Sequence, residues 1–214
     1  SSDVCSSDLF NLQAQNADFT YTPHEGCDNV TVQFTDASTG ATSWNWTYNG
    51  TPFSTLQNPQ RQFNTPGTYI IRLTINGGDW QEYTVNVWQS PTASFTTTGN
   101  DTACTSTNIT FTSTSTQGSG AIVWYVWTYG DGNRDSVMSS TISHAYPSPG
   151  PYTANLVIYD QHGCYDASGN HNIIVYQAPT AQFNISPSSA CGAPITATFN
   201  NFSIPAGASY TWDF

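Results

Sequence analysis

The chain has 214 residues, of which 8% are charged, and a formal net charge of -11. Its only cations are Arg61, Arg72 and Arg134, and lysine is absent. Such a surface repels nucleic acid and anionic membrane, and neither a lysine Schiff base nor a Walker-type phosphate loop can be built from it.

Aromatic residues make up 14% of the chain, so low charge does not prevent packed cores. Abundant Thr, Val, Tyr, Phe and Trp, with little Leu, Glu or Met, favours strands over helices. No apolar run reaches membrane-spanning length.

The first segment, "SSDVCSSDL" (1–9), has no apolar periodicity. A common short-read sequencing adapter ending AGT-TCA-GAC-GTG-TGC-TCT-TCC-GAT-CT translates to the same residues in one frame. Residues 1–9 are therefore expected to be a non-native tail, which takes Asp3, Cys5 and Asp8 out of the account. Residues 10–16, "FNLQAQN", read either as a linker or as the remnant of a secretory signal peptide.

A repeat organises the rest of the chain. "ADFTYTP" (17–23) recurs as "ASFTTTG" (93–99) and "AQFNISP" (181–187), and each copy is followed by a cysteine: Cys27, Cys104 and Cys191. Alternating strands come next: "NVTVQFT" (29–35), "NITFTST" (108–114) and "ITATFNN" (195–201). They place Val30, Val32 and Phe34 on one face, with Ile109 and Phe111, or Ile195, Ala197 and Phe199, in the equivalent positions. Tryptophan-bearing segments come after them, "SWNWTYNG" (43–50), "WYVWTYGDG" (124–132) and "SYTWDF" (209–214). The first two copies then share "FNTPGTYIIRLTI" (63–75) and "YPSPGPYTANLVI" (146–158), and close on "EYTVNVW" (82–88) or "HNIIVY" (171–176).

Short period-2 strands between Gly, Pro, Asn and Ser turns predict an all-β chain of tandem Ig-like antiparallel β-sandwiches. Tyr69, Ile71, Leu73 and Ile75 are expected inside the first, and Tyr152, Ala154, Leu156 and Ile158 inside the second. Tyr69 and Tyr152, after Pro-Gly, sit where a tyrosine corner would form. Prolines in "QSPTASF" (89–95) and "QAPTAQF" (177–183) mark the boundaries. The predicted domains are 17–89, 91–177 and the N-terminal part of a third, 179–214. Because "TWDF" falls inside a motif, the chain reads as a piece of a larger exported protein, cut at both ends.

"WTYGDG" followed by "SHAYPSPGPYTANLVIYDQHGC" resembles the PKD domain family, whose usual form is W-D-F-G-D-G, then H-x-Y, P-G-x-Y and an alternating strand. The matching positions are Trp127, Tyr129, Gly130, Asp131, Gly132, His144, Tyr146, Pro149, Gly150 and Tyr152. The first copy is degenerate, with "WTYNG" for the glycine turn and Arg61-Gln62-Phe63 for His-x-Tyr. The resemblance implies an Ig-like sandwich used outside the cell for adhesion, glycan or protein contact, or spacing. Such domains are often strung along large bacterial surface proteins, here of Bacteroidota type, or attached to secreted hydrolases.

Cys104 and Cys164 are expected to pair, against the alternative of two free thiols. That bridge would close a loop of about 60 residues, worth roughly 4 kcal/mol on a chain-entropy estimate, and would fit an extracytoplasmic address. Cys27 is then left unpaired, and Cys191 would need a partner beyond this chain. No cysteine pair has metal-ligand spacing.

Asp131 in Gly-Asp-Gly is read as turn chemistry, with calcium at Asp131 and Asp135 as the minor alternative. His144 is read as a packing or hydrogen-bonding residue. His24, His162 and His171 sit in turn-like stretches without a nucleophile motif, and Glu25 and Glu82 are the only glutamates. No catalytic residue or cofactor is therefore expected. Trp80 and Trp88 are the candidate ligand contacts, with Trp44 and Trp124 behind them. "DTA" (101–103) and "DSV" (135–137) resemble Asp-Ser/Thr-hydrophobic O-glycosylation sites of Bacteroidota.

The residues support two functions. The first is a non-catalytic extracellular array, secreted or at the cell surface, that meets a protein or glycan. The second is the accessory region of a secreted peptidase or polysaccharide hydrolase.

Overall fold

The computed structural model describes residues 15–189, 191–192, 194–204 and 209–213. The expected adapter-derived tail (1–9) and most of segment 10–16 lie outside the described residues. The chain divides into two compact units. The first comprises Ser1–Pro91, Gln117–Ala121 and Asp160–Cys164; the second comprises Thr92–Thr116, Ile122–Tyr159 and Tyr165–Phe214.

The first unit holds β1 (Phe19–Thr22), β2 (Glu25–Cys27), β3 (Val30–Asp36), β4 (Trp44–Tyr48), β5 (Thr51–Ser54), β6 (Gln60–Phe63), β7 (Gly67–Ile75) and β8 (Trp80–Trp88). One sheet has the order β1-β3-β6 and the other β2-β8-β7-β4-β5. Strict alternation makes these strands: Val30, Val32 and Phe34 of β3 and Ile71, Leu73 and Ile75 of β7 are buried, while their neighbours are not. Together with Trp46, Phe19, Phe63, Val85 and Val87 they form one core between the two sheets. Each such side chain contributes about 1.5–3 kcal/mol by leaving water.

The second unit repeats this order. Its strands are β9 (Phe95–Thr97), β10 (Thr102–Cys104), β11 (Asn108–Ser113), β12 (Ile122–Thr128), β13 (Arg134–Val137), β14 (Thr141–Ala145), β15 (Gly150–Asp160), β16 (Tyr165–Ala167) and β17 (His171–Tyr176). The sheets run β14-β11-β9 and β10-β17-β15-β12-β13, with β16 as an added partner of β15. Phe95, Ile109, Phe111, Trp127, Tyr129, Tyr146, Leu156 and Ile158 are in its core. Both units are thus all-β Ig-like sandwiches. Tyr69 and Tyr152 each donate a hydroxyl hydrogen bond to the carbonyl four residues upstream, Thr65 at 2.8 Å and Ser148 at 2.9 Å.

Further along the same unit, β18 (Phe183–Ser186) pairs antiparallel with β19 (Thr198–Asn201). Among the described residues an edge-to-face Phe–Trp contact occurs three times. Phe19 meets Trp46 at 4.9 Å, Phe95 meets Trp127 at 5.3 Å, and Phe183 meets Trp212 at 5.2 Å.

The cysteine pairing departs from expectation. Cys164 is bonded to Cys27, with Cα atoms 5.6 Å apart across 137 residues of sequence, while Cys104 and Cys191 are free. Strand register explains why. Cys104 lies beside Tyr176, and Val175 lies beside Gly150 at the start of β15. Cys164 lies past Asp160 at the far end of that strand, held in a turn where Asp160 accepts the N–H groups of His162 and Cys164 at 2.9 and 2.8 Å. Eleven residues of β15 span about 33 Å, and a disulfide needs Cα atoms within about 7 Å. The bond lies wholly in the first unit, which includes the Asp160–Cys164 turn.

Candidate interaction surfaces

The motif residues around the Gly-Asp-Gly turn are tied to one another. The backbone turns at Gly130, whose φ of +83° is left-handed and whose missing Cβ would lie 2.5 Å from the Thr153 nitrogen. Asp131 then accepts the Asn133 backbone N–H and side-chain amide, both at 3.0 Å, and faces His144 Nε2 at 2.8 Å. The His144 ring stacks on Tyr129, centroids 3.9 Å apart and planes 5° from parallel. Tyr129 donates its hydroxyl to Asp135 at 2.8 Å, and Tyr146 donates to the Tyr129 carbonyl at 3.0 Å.

Burial and these bonds shift the titration of three of the groups. Burial works to raise the Asp131 carboxyl, but the Asn133 and His144 hydrogen bonds outweigh it and hold the group below the ordinary aspartate value. Burial first, and then the hydrogen bond and charge of Asp135, push the Tyr129 hydroxyl well above its usual value. Burial also raises Tyr146, with the charge of Asp131 adding to it.

Asp131 and Asp135, the minor calcium candidates, are both engaged by donors of the protein. Both oxygens of Asp131 face N–H donors or an imidazole, and one oxygen of Asp135 takes the Tyr129 hydroxyl. Among the described residues no group of three or more His, Cys, Asp or Glu side chains could hold a metal. In the first sandwich Arg61 takes the place of His144, with its guanidinium 3.9 Å above the Tyr48 ring.

The exposed aromatics lie elsewhere, on outer sheet faces. In the first unit Trp80 is 50% exposed, and Arg72 lies 4.3 Å from its ring centroid. Arg72 Nε also donates to Glu82 at 2.6 Å. Beside this trio, Asn45, Thr47, Ile70 and Thr74 line a groove of about 310 Å³. Cross-strand register builds it, because Thr47 lies opposite Arg72, and Arg72 opposite Glu82.

Trp88 is less available. Its indole N–H donates to Glu25 at 3.0 Å, and one ring face is stacked on His162 at 3.9 Å. Trp44 packs against the core and donates to Asp36 at 2.8 Å.

In the second unit Trp124 (44% exposed), Tyr159 (37%) and Tyr165 (62%) stand on adjacent strands of one sheet. Tyr159 and Tyr165 are directly opposite each other, with ring centroids 5.6 Å apart.

Residues 88–175 match the family model of the PKD domain. The second sandwich is a PKD-fold domain. Among solved structures, the chain is similar to the PKD1 domain of the Vibrio cholerae metalloprotease PrtV, at 24% identity over 40% of this chain and 96% of that one, TM-score 0.34. It is also similar to the PKD1 domain of Vibrio anguillarum Epp, at 23% identity over 42% and 99%, TM-score 0.35. A structure of carbohydrate-binding modules from the β-sandwich superfamily aligns at 25% identity, TM-score 0.40. That alignment covers 45% of this chain and about half of the other, 47%. No curated protein matches.

The motif residues of the second sandwich serve its own turn and core. The residues missed from sequence are Arg72, Tyr159 and Tyr165. Alternation could have found two of them. Arg72 lies between the buried Ile71 and Leu73, and Tyr159 follows the buried Ile158, so both must face outward.

Proposed function

We propose that this chain is part of a non-catalytic extracellular β-sandwich array, in which the domains space a larger surface protein and contact a protein or glycan. The observation that supports this most is the set of exposed aromatics Trp124, Tyr159 and Tyr165 on adjacent strands of one sheet of the second unit. The groove of the first unit lined by Arg72 and Glu82, with Trp80 against Arg72, supports it too. Aromatic faces beside polar groups suit sugar rings or aromatic side chains. The net charge of -11 disfavours anionic ligands, so neutral glycans are the first class to test. The disulfide fits an oxidising, extracytoplasmic address.

The test is binding of the purified, oxidised chain to arrayed neutral and acidic glycans, with Trp80→Ala and Tyr165→Ala as paired variants. Retention of a neutral glycan that either variant loses supports the reading. Retention of none, or retention unaffected by both, sinks the glycan arm. A second reading, an accessory region of a secreted peptidase or hydrolase, is favoured by the similarity to the PKD1 domain of a metalloprotease. A catalytic domain in the complete reading frame would decide for it.

A further inference from the structure

Cys104 is free, yet its surroundings reproduce those of Cys27 at each point. Cys27 ends the short strand β2, which runs parallel to β8, and lies opposite Trp88. Cys104 ends β10, which runs parallel to β17, and lies opposite Tyr176. The residue after each cysteine donates its N–H to that aromatic residue's carbonyl, Asp28 to Trp88 at 2.6 Å and Thr105 to Tyr176 at 2.8 Å. The same two residues then accept an N–H from the outgoing chain through their side chains, Asp28 from Ser90 at 2.9 Å and Thr105 from Ala178 at 3.0 Å.

Cys27 already shows what this arrangement holds. Its partner Cys164 arrives on the Asp160–Cys164 turn, and His162 of that turn stacks on Trp88. Beside Cys104, Tyr176 offers the equivalent ring and is 58% exposed.

We propose that Cys104 and Tyr176 form a docking point for an Asp-x-His-Gly-Cys turn of a further sandwich of this type, closed by a disulfide to Cys104. The proposal rests on the array reading above and adds a connecting device to it, the disulfide between Cys104 and that turn. Bond formation is a two-electron oxidation. Two thiols lose two protons and two electrons to a disulfide donor such as oxidised glutathione, which leaves as two thiols.

The test replaces residues 178–214 with a second copy of residues 90–177. The copy carries Cys104→Ser, so that it offers no acceptor of its own, and Tyr165→Phe as a mass label for its turn. The protein is made in an oxidising compartment, alkylated without reduction, digested and mapped by mass spectrometry. The expected result is Cys27 joined to the unlabelled turn and Cys104 joined to the labelled one. Cys104 recovered alkylated while Cys27–Cys164 has formed overturns the proposal and leaves the array reading standing. As a second readout, changing the first-copy Cys104 to Ser in the same chain should lower the melting temperature by several degrees; an unchanged transition also overturns it. Glycan binding, which tests the array reading, does not enter either measurement.

Discussion

His144 Nε2 sits 2.8 Å from a carboxylate oxygen of Asp131, and the two side chains are 14% and 6% exposed. This contact closes the Gly-Asp-Gly turn onto β14, and its sign with pH follows from the depressed Asp131 carboxyl. The folded state binds that proton less readily than the unfolded chain. The stability it supplies is therefore full above the ordinary aspartate value of 3.8 and is lost as pH falls through the lower folded value. Asp131→Asn should cost about 1.5–3 kcal/mol at pH 7 and should lose less than the parent on acidification. Denaturant titrations at pH 7 and pH 3 measure both; an equal acid loss in parent and variant contradicts the assignment. Asp36, also held low by hydrogen bonds that outweigh its burial, keeps its share in both proteins.

The glycines on either side of Asp131 should behave differently. Gly130 has a left-handed φ and backbone of Thr153 within 2.5 Å of a would-be Cβ, whereas Gly132 (φ +96°) has open space. Gly132→Ala should cost only the backbone penalty of about 1–3 kcal/mol. Gly130→Ala adds a clash and should leave the second unit largely unfolded. Near-ultraviolet circular dichroism of the two variants compares them, and equal spectra would refute the difference.

The paired core tryptophans offer a third comparison. The Trp46 indole N–H donates to the Leu56 carbonyl at 2.8 Å, while Trp127 Nε1 is buried without a partner among the described residues. Replacement by Phe removes similar apolar area at both sites. Trp46→Phe also leaves a carbonyl short of a bond, and Trp127→Phe removes an orphan donor. Trp46→Phe should therefore be the more destabilising by about 1–3 kcal/mol, read as a shift in denaturation midpoint at constant slope. The reverse order would count against the assignment.

The disulfide gives a fourth. Non-reducing peptide mapping should recover Cys27 linked to Cys164, with Cys104 alkylated. For a closed loop of 137 residues, chain entropy sets an upper stabilisation of about 5 kcal/mol. Cys27→Ser should destabilise by up to that amount. A Cys104–Cys164 peptide would overturn the pairing.

Much of the architecture is legible in the residues because strands and turns are local. Alternation placed Val30, Val32 and Phe34, or Leu156 and Ile158, in cores that the fold then builds. Pro-Gly before Tyr69 and Tyr152 gave two corners that each use a carbonyl four residues away. The candidate surface was half legible. Trp80 and Trp124 stood out by type, but whether a tryptophan offers a free face depends on its neighbours. His162 covers Trp88 from 74 residues further on, and no local pattern announces that.

The sequence by itself determined which side chains of β3, β7, β11 and β15 face in, where the turns beside them fall and which motif resembles the PKD domain. Period-2 patterning and turn chemistry act within a few residues, so these are written locally. Only the tertiary structure decided that Cys164 meets Cys27, that Asp131 faces His144, and that Tyr159 and Tyr165 stand together. Those pairings depend on strand order and register. An eleven-residue strand separates its two ends by about 33 Å, and the spacing of cysteines along a chain says nothing about which end each one occupies.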